Sequence, residues 1–250
     1  MLDFALGMHP ATAVFAVVAV FVGAFVRGYS GFGSSLLWIS SLSLVLPPLV
    51  VVPIVFMLEV AASVHLLPKV WPDIDWYSLR WLLLGTFAAT PLGIYVLASL
   101  PATPIRVAIS VVVLVATILI WRGFALRRAP GPAATTLTGL ACGLLNGSTG
   151  IGGPPAILFY FSSPTAVTIS RASIITFFLG TDSFGAAIAA SQGLITPGVL
   201  IRTAMFLPFV LIGISLGNRR FIRTDPESFR RFVLLLLVML SISVFLRALF

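Results

Sequence analysis

Two glycine-rich stretches contain most of the residues of this sequence that could do chemistry. The first is RGYSGFGSS at residues 27–35, and NGSTGIGGP follows 119 residues later at 146–154. Glycine permits positive φ and a close approach of backbone to a ligand, and hydroxyl and amide side chains supply hydrogen bonds. At this offset the aligned pairs are Gly28 with Gly147, Ser30 with Thr149, Gly31 with Gly150 and Gly33 with Gly152.

Each stretch is followed by the predicted start of a helix, at Ser34 or Ser35 and at Pro154. A helix start presents unpaired N–H groups and about half a positive charge, which favour an anion. Arg27 adds a full charge for which the second copy has only Asn146. We therefore predict that both motifs bind one anion, with Arg171 as a further cation. The predicted substrate-binding residues are Arg27, Gly28, Ser30, Gly31, Gly33, Ser34, Ser35, Asn146, Gly147, Thr149, Gly150, Gly152, Gly153 and Arg171.

Other interpretations of these residues stay open. The glycines also suit close packing of helices, and an arginine near a helix end can extend its charge to the membrane surface. Glu59 and Asp182 are the acids inside apolar segments, where acids are costly and often mark ion or proton paths. Either acid carries a coupling proton or pairs with an arginine. With two histidines and one cysteine, we expect no metal site and no cofactor.

The composition identifies the elements that must position these residues. Hydrophobic residues make up 59% of the chain and charged residues only 9%, which excludes a water-soluble globule. The apolar runs are long and continuous, so the prediction is an all-α integral membrane protein. Its net charge of +8 comes largely from loops between helices, which favours anionic lipid headgroups, not nucleic acid, as the partner.

Apolar runs and helix breakers divide the chain into ten segments. A full membrane crossing needs about 20 apolar residues, and the four segments that flank the two motifs fall short of it. We therefore interpret each motif as the centre of a short broken hairpin. The ten segments are 11–26, 35–46, 48–67, 78–99, 104–122, 134–146, 154–163, 165–190, 198–217 and 229–249.

The positions of basic residues then predict the topology. Three loops rich in arginine and lysine are placed in the cytoplasm by the positive-inside rule, and both termini outside. Each half has a hairpin and three longer helices, hence an odd number of crossings, so the second half is inverted relative to the first. The predicted regions are a first repeat (1–126), a basic cytoplasmic linker (127–133) and a second repeat (134–250). Apolar outer faces are equally compatible with lipid and with a homo-oligomer.

The paired motifs, in a duplicated membrane chain of this length, resemble the TauE/SafE sulfite exporter family over essentially the whole sequence. The resemblance implies a permease of the bacterial or archaeal inner membrane that moves sulfite or related sulfur-containing anions outward. It also implies that the glycines and hydroxyls of both motifs form the anion site. This sequence departs from the usual triple glycine in its first copy, where Ser34 and Ser35 follow Gly33.

The leading hypothesis is therefore a secondary transporter, not an enzyme. It would export a small sulfur-containing oxyanion, sulfite or an organosulfonate, bound near the membrane midplane between inverted repeats. The alternatives are an anion channel of other specificity and a membrane-embedded enzyme. The second alternative has no support from a nucleophile and base pair or from a metal-binding motif in the sequence.

Overall fold

A computed structural model describes residues 10–42, 44–99, 130–149 and 152–223, with isolated positions at 118, 225, 228, 232, 235 and 239. Within those ranges the chain is helical and contains no strand, so the all-α prediction is confirmed there. One short 3₁₀ turn, Trp71–Asp73, separates the third and fourth helices. The α-helices are α1 (Pro10–Ser30), α2 (Ser34–Leu42), α3 (Pro48–Val70), α4 (Trp76–Ser99), α5 (Pro132–Thr149), α6 (Gly153–Ser162), α7 (Val167–Ser191) and α8 (Pro197–Ile222).

The segments after the two motifs are short, as predicted. Helix α2 has 9 residues and α6 has 10, about half of what a membrane crossing needs. The long segments 48–67, 78–99, 165–190 and 198–217 correspond to α3, α4, α7 and α8. The predicted segments 104–122 and 229–249 lie almost wholly outside the described residues.

The prediction was wrong about the segments before the motifs. Helix α1 has 21 residues and α5 has 18, because both continue into their motifs, to Ser30 and to Thr149. In an apolar environment a backbone amide gains most by keeping its helical hydrogen bond. Helix α1 therefore ends only where Gly31 leaves the helical conformation, later than the apolar run suggests.

Four helical stretches of the described chain are long and apolar enough to cross a membrane. They are Pro10–Ser30, Val50–Asp73, Val167–Ser191 and Pro197–Ile222. The chain therefore has several membrane-spanning helices by length and composition. The inverted relation of its two halves stays a prediction, as do the repeat boundaries.

The described residues divide into two compact units. The first unit contains those of Met1–Lys69 and Phe178–Arg223, and the second those of Val70–Phe177 and Thr224–Phe250. The first motif belongs to the first unit and the second motif to the second unit. Each unit combines helices from both halves of the sequence.

A glycine seam joins two long helices in each unit. In the first unit α1 packs along α8, and a Cβ on Gly28 or Gly217 would collide with the backbone carbonyl of Ile214 or Phe25. In the second unit α4 packs along α5, where Gly139 and Gly143 touch the backbone of α4 in the same way. Small residues allow such close backbone packing in membrane helices. Gly28 thus lies in this seam, and its predicted contact with an anion stays a prediction.

Candidate functional site

The first motif is a break of three residues between α1 and α2. Gly31 and Gly33 have φ angles of 86° and 90°, in the left-handed region that other residues rarely adopt. The amide of Gly31 still donates to the carbonyl of Arg27 at 2.8 Å, in the helical pattern. The turn therefore begins at Gly31, and the positive φ angles of Gly31 and Gly33 lead the chain into α2.

Ser30 stabilises this turn from inside. Its hydroxyl lies 2.7 Å from the carbonyl oxygens of Val26 and Phe32 and accepts from the amide of Phe32 at 3.3 Å. The side chain is fully buried. Its hydroxyl thus satisfies backbone groups of the break, and its predicted contact with an anion stays a prediction.

Arg27 lies at the end of α1 with only 1% of its surface exposed. Its Nη1 donates to the Gly31 carbonyl at 2.5 Å and its Nη2 to the Ser63 hydroxyl at 2.7 Å. The guanidinium carbon lies 4.7 Å from the centre of the Phe178 ring, a distance typical of a cation–π contact. The arginine is thus an internal group, not one that extends to the membrane surface.

Glu59 on α3 provides the opposite charge. Its Oε2 lies 3.3 Å from Nε of Arg27, and both side chains are 1% exposed. Its Oε1 accepts a hydrogen bond from the hydroxyl of Ser34, the first residue of α2. The carboxylate is therefore bound by an arginine and by a hydroxyl at the start of a short helix.

Asp182 on α7 belongs to the same charged cluster. It is 3% exposed, and the charges of Glu59 and Arg27 both act on it. Its Oδ2 has no hydrogen-bond partner among the described residues. Asp182 thus adds a second acid to the electrostatic surroundings of Arg27.

Gly33 and Ser35 flank the first residue of α2. Gly33 precedes α2, and Ser35 in its first turn is half-buried. The structure thus brings Arg27, Ser34, Glu59 and Asp182 together in the first unit. These four residues, with Ser63, are called the charged cluster below.

The second motif repeats the helix break without a charge. Asn146 near the end of α5 is buried, and a Cβ on Gly152 would meet the Cβ of Asn146 at 2.8 Å. Gly147 packs against Gly93 of α4, and Gly153 begins α6. Thr149 is the last residue of α5, and Gly150 lies outside the described residues. Gly152 has a φ of −85°, so close approach, not positive φ, explains the glycine there.

Arg171 lies in α7 within the second unit. It is 3% exposed and has an interaction partner there, so it is an internal residue and not a surface one. The structure does not show that it contacts an anion.

A pocket of about 230 Å³ opens in the second unit, where α4 begins and α6 ends. Its described lining includes the hydroxyls of Ser78, Tyr160, Ser163 and Thr165 but no lysine or arginine. Ser78 and Tyr160 lie 3.0 Å apart, oxygen to oxygen. The lining is mainly apolar and includes the acid Asp75 but no positive charge among the described residues, which distinguishes the pocket from the charged cluster.

Sequence analysis missed two residues of the charged cluster's environment. Ser63 follows Glu59 by four positions, and Phe178 precedes Asp182 by four. Residues four apart share one face of a helix, so the positions of Glu59 and Asp182 could have indicated Ser63 and Phe178. No group of three or more metal-binding side chains occurs in the part of the chain that the structure describes.

The helices and the buried charged cluster define a multi-pass helical membrane protein with polar groups inside its membrane-spanning helices. The sequence profile described as "Sulfite exporter TauE/SafE" matches residues 15–244, and the chain belongs to this family. It is 26% identical over 236 residues to the "Probable sulfite/organosulfonate exporter TauE" of Cupriavidus necator, covering 90% of this chain and 91% of that protein. No solved structure matches the chain.

Proposed function

We propose that this protein is a secondary transporter that exports a small sulfur-containing oxyanion, sulfite or an organosulfonate, across the cytoplasmic membrane. Membership of an exporter family supports this proposal, as does the name of the similar protein of Cupriavidus necator. The observation that carries the anion assignment is the buried Arg27 at a helix break, next to the hydroxyl that begins α2.

The anion would bind to the donors of the first motif. Arg27 supplies a full positive charge, Ser34 supplies a hydroxyl, and the start of α2 supplies backbone N–H groups. The second motif would supply a neutral half-site, with the amide of Asn146 and the start of α6. Arg171 remains a proposed additional cation. Inverted repeats with discontinuous helices place such half-sites near the membrane midplane.

Two driving forces are compatible with this arrangement. The membrane potential, negative inside, expels anions, and a coupled proton could be carried by Glu59 or Asp182. Both acids lie in the charged cluster. Their shared location supports proton coupling better than a separate structural role for each acid.

The test is efflux of labelled sulfite from liposomes that contain the purified protein, with sulfate and methanesulfonate as competitors. We expect saturable efflux that methanesulfonate inhibits more than sulfate does. Ser34→Ala should lower efflux at subsaturating sulfite about tenfold or more, because a hydrogen bond to a charged group is worth about 1.5–3 kcal/mol.

Thr138→Ala is the matched control, because the hydroxyl of Thr138 bonds only within its own helix, to the carbonyl of Ala134. If Ser34→Ala and Thr138→Ala lower efflux equally, Ser34 is not an anion-binding residue. Absence of efflux for every sulfur anion, from folded protein, would contradict the proposed substrate class. Electrical currents beyond carrier rates would indicate an anion channel instead.

A further inference from the structure

We propose that Glu59 is an internal substitute for the transported anion, bound in the site that the substrate must take over. This inference rests on the proposed function and names the group that occupies the binding site when no substrate is bound. The argument begins from the two oxygens of the Glu59 carboxylate. One lies 3.3 Å from Nε of Arg27, and the other accepts from the Ser34 hydroxyl.

These donors are the ones that the sequence predicts for an oxyanion. An ionised carboxylate presents two negatively charged oxygens on one edge, and a sulfite or sulfonate group presents a similar edge. An arginine and a hydroxyl donor suit either group; for Glu59 the contacts are an ion pair with Nε of Arg27 and a hydrogen bond from Ser34. The other Arg27 nitrogens donate to Gly31 and Ser63, which fixes the guanidinium and leaves Nε for a single anionic partner. Ionised Glu59 and a bound oxyanion therefore compete for the same place.

Displacement of Glu59 has a consequence for protons. Glu59 is 1% exposed, and a buried carboxylate that has lost its arginine is very costly. The displaced side chain is stable as the neutral acid, so each anion that binds is accompanied by one proton, taken from the solvent onto a carboxylate oxygen of Glu59. No other bond forms or breaks in this exchange.

The charged groups around Glu59 are few among the described residues. Arg27 faces it from α1 and Asp182 acts on the cluster from α7. On α3 itself, His65 lies six positions further along and pairs with Ser215 of α8 at 3.1 Å, with Lys69 beyond it. Among the described residues, Glu59 lies within ion-pair distance of Arg27 and Asp182 does not. The group whose charge must change when Arg27 changes partner is therefore Glu59.

The experiment is calorimetric titration of the purified full-length protein with methanesulfonate, an anion whose own charge does not change across the pH range used. One proton per anion predicts that wild-type affinity falls by about tenfold for each unit of rising pH where Glu59 is ionised. Glu59→Gln should bind more tightly than wild type at high pH and show no such slope. Asp182→Asn should keep the slope, because Glu59 is still present.

A second measurement uses only the wild-type protein. In weakly buffered solution we expect uptake of about one proton for each anion bound. The inference is overturned if no proton is taken up, if Glu59→Gln keeps the wild-type slope, or if Asp182→Asn abolishes it.

Sulfate, phosphate and chloride are titrated in parallel to separate this inference from the proposed function. If wild type takes up a proton with sulfate or chloride but binds neither sulfite nor methanesulfonate, Glu59 remains the internal substitute and the assignment to sulfite or sulfonate fails. If Glu59→Gln gains affinity for none of these anions, the inference fails whatever the wild-type protein transports.

Discussion

The two glycine-rich motifs are alike in packing and different in chemistry. Gly28 lies against α8 and Gly147 against α4, so the repeated glycines serve a seam between long helices in each unit. The residue before each glycine differs, because Arg27 is a buried cation paired with Glu59 whereas Asn146 is a buried amide. The comparison teaches that the repeated residues define the architecture, while the unrepeated Arg27 defines the chemistry of the first motif.

The largest expected effect tests whether the two seams are alike. Gly28→Leu and Gly143→Leu each place a side chain against the backbone of the facing helix, and backbone cannot move aside cheaply. We expect both variants to lose most of the folded protein, measured as the monodisperse fraction in detergent. Gly131→Leu is the control, since a Cβ at Gly131 meets nothing within 4 Å. If only one of the two variants loses folded protein, the two seams are not equivalent.

The second effect tests whether the motifs differ in charge. Arg27→Met leaves Glu59 buried without its cation, which costs about 3–5 kcal/mol, and thermal unfolding in detergent should occur at a much lower temperature. The double variant Arg27→Met, Glu59→Met should recover most of that loss because no buried charge remains. Asn146→Leu should cost far less. If the double variant is as unstable as the single one, the instability of Arg27→Met does not come from the unpaired charge of Glu59.

The third effect separates two adjacent serines. Ser34→Ala removes the hydroxyl that donates to Glu59, at a cost of about 1.5–3 kcal/mol. Ser35→Ala changes a half-buried residue and should stay within about 0.5 kcal/mol of wild type. The difference between their unfolding temperatures is the measurement. Equal values would mean that Glu59 does not depend on Ser34.

The smallest effect belongs to the second unit. Tyr160→Phe removes the hydrogen bond to the Ser78 hydroxyl, a neutral pair worth about 1 kcal/mol. We expect a small decrease in unfolding temperature and an unchanged pH dependence of anion binding. A loss of pH dependence in this variant would show that the chemistry is not confined to the first motif.

Sequence patterns predicted the all-helical class and the short helices α2 and α6, because composition and glycine or proline breaks act locally. They failed to predict that α1 continues into its motif, because a count of apolar residues does not include the hydrogen bonds that Ser30 and Gly31 donate to backbone carbonyls. The predicted acids Glu59 and Asp182 do meet Arg27. Which acid pairs with the arginine could not be predicted, because Arg27 and Glu59 lie on different helices and their pairing depends on tertiary packing. The inverted relation of the two halves stays a prediction, because it depends on the packing of the whole assembly.

The Arg27–Glu59 pair also constrains how the chain enters the bilayer during synthesis. An arginine or an acid in a lone apolar helix costs about 2.5–3.5 kcal/mol on insertion scales, and here each partner lies on a different helix. When α1 leaves the ribosome, Glu59 has not yet been made, so Arg27 has no counter-charge. Arg27 lies in the last turn of α1, where its charge can reach the membrane surface, and its buried position can form only after α3 has been made.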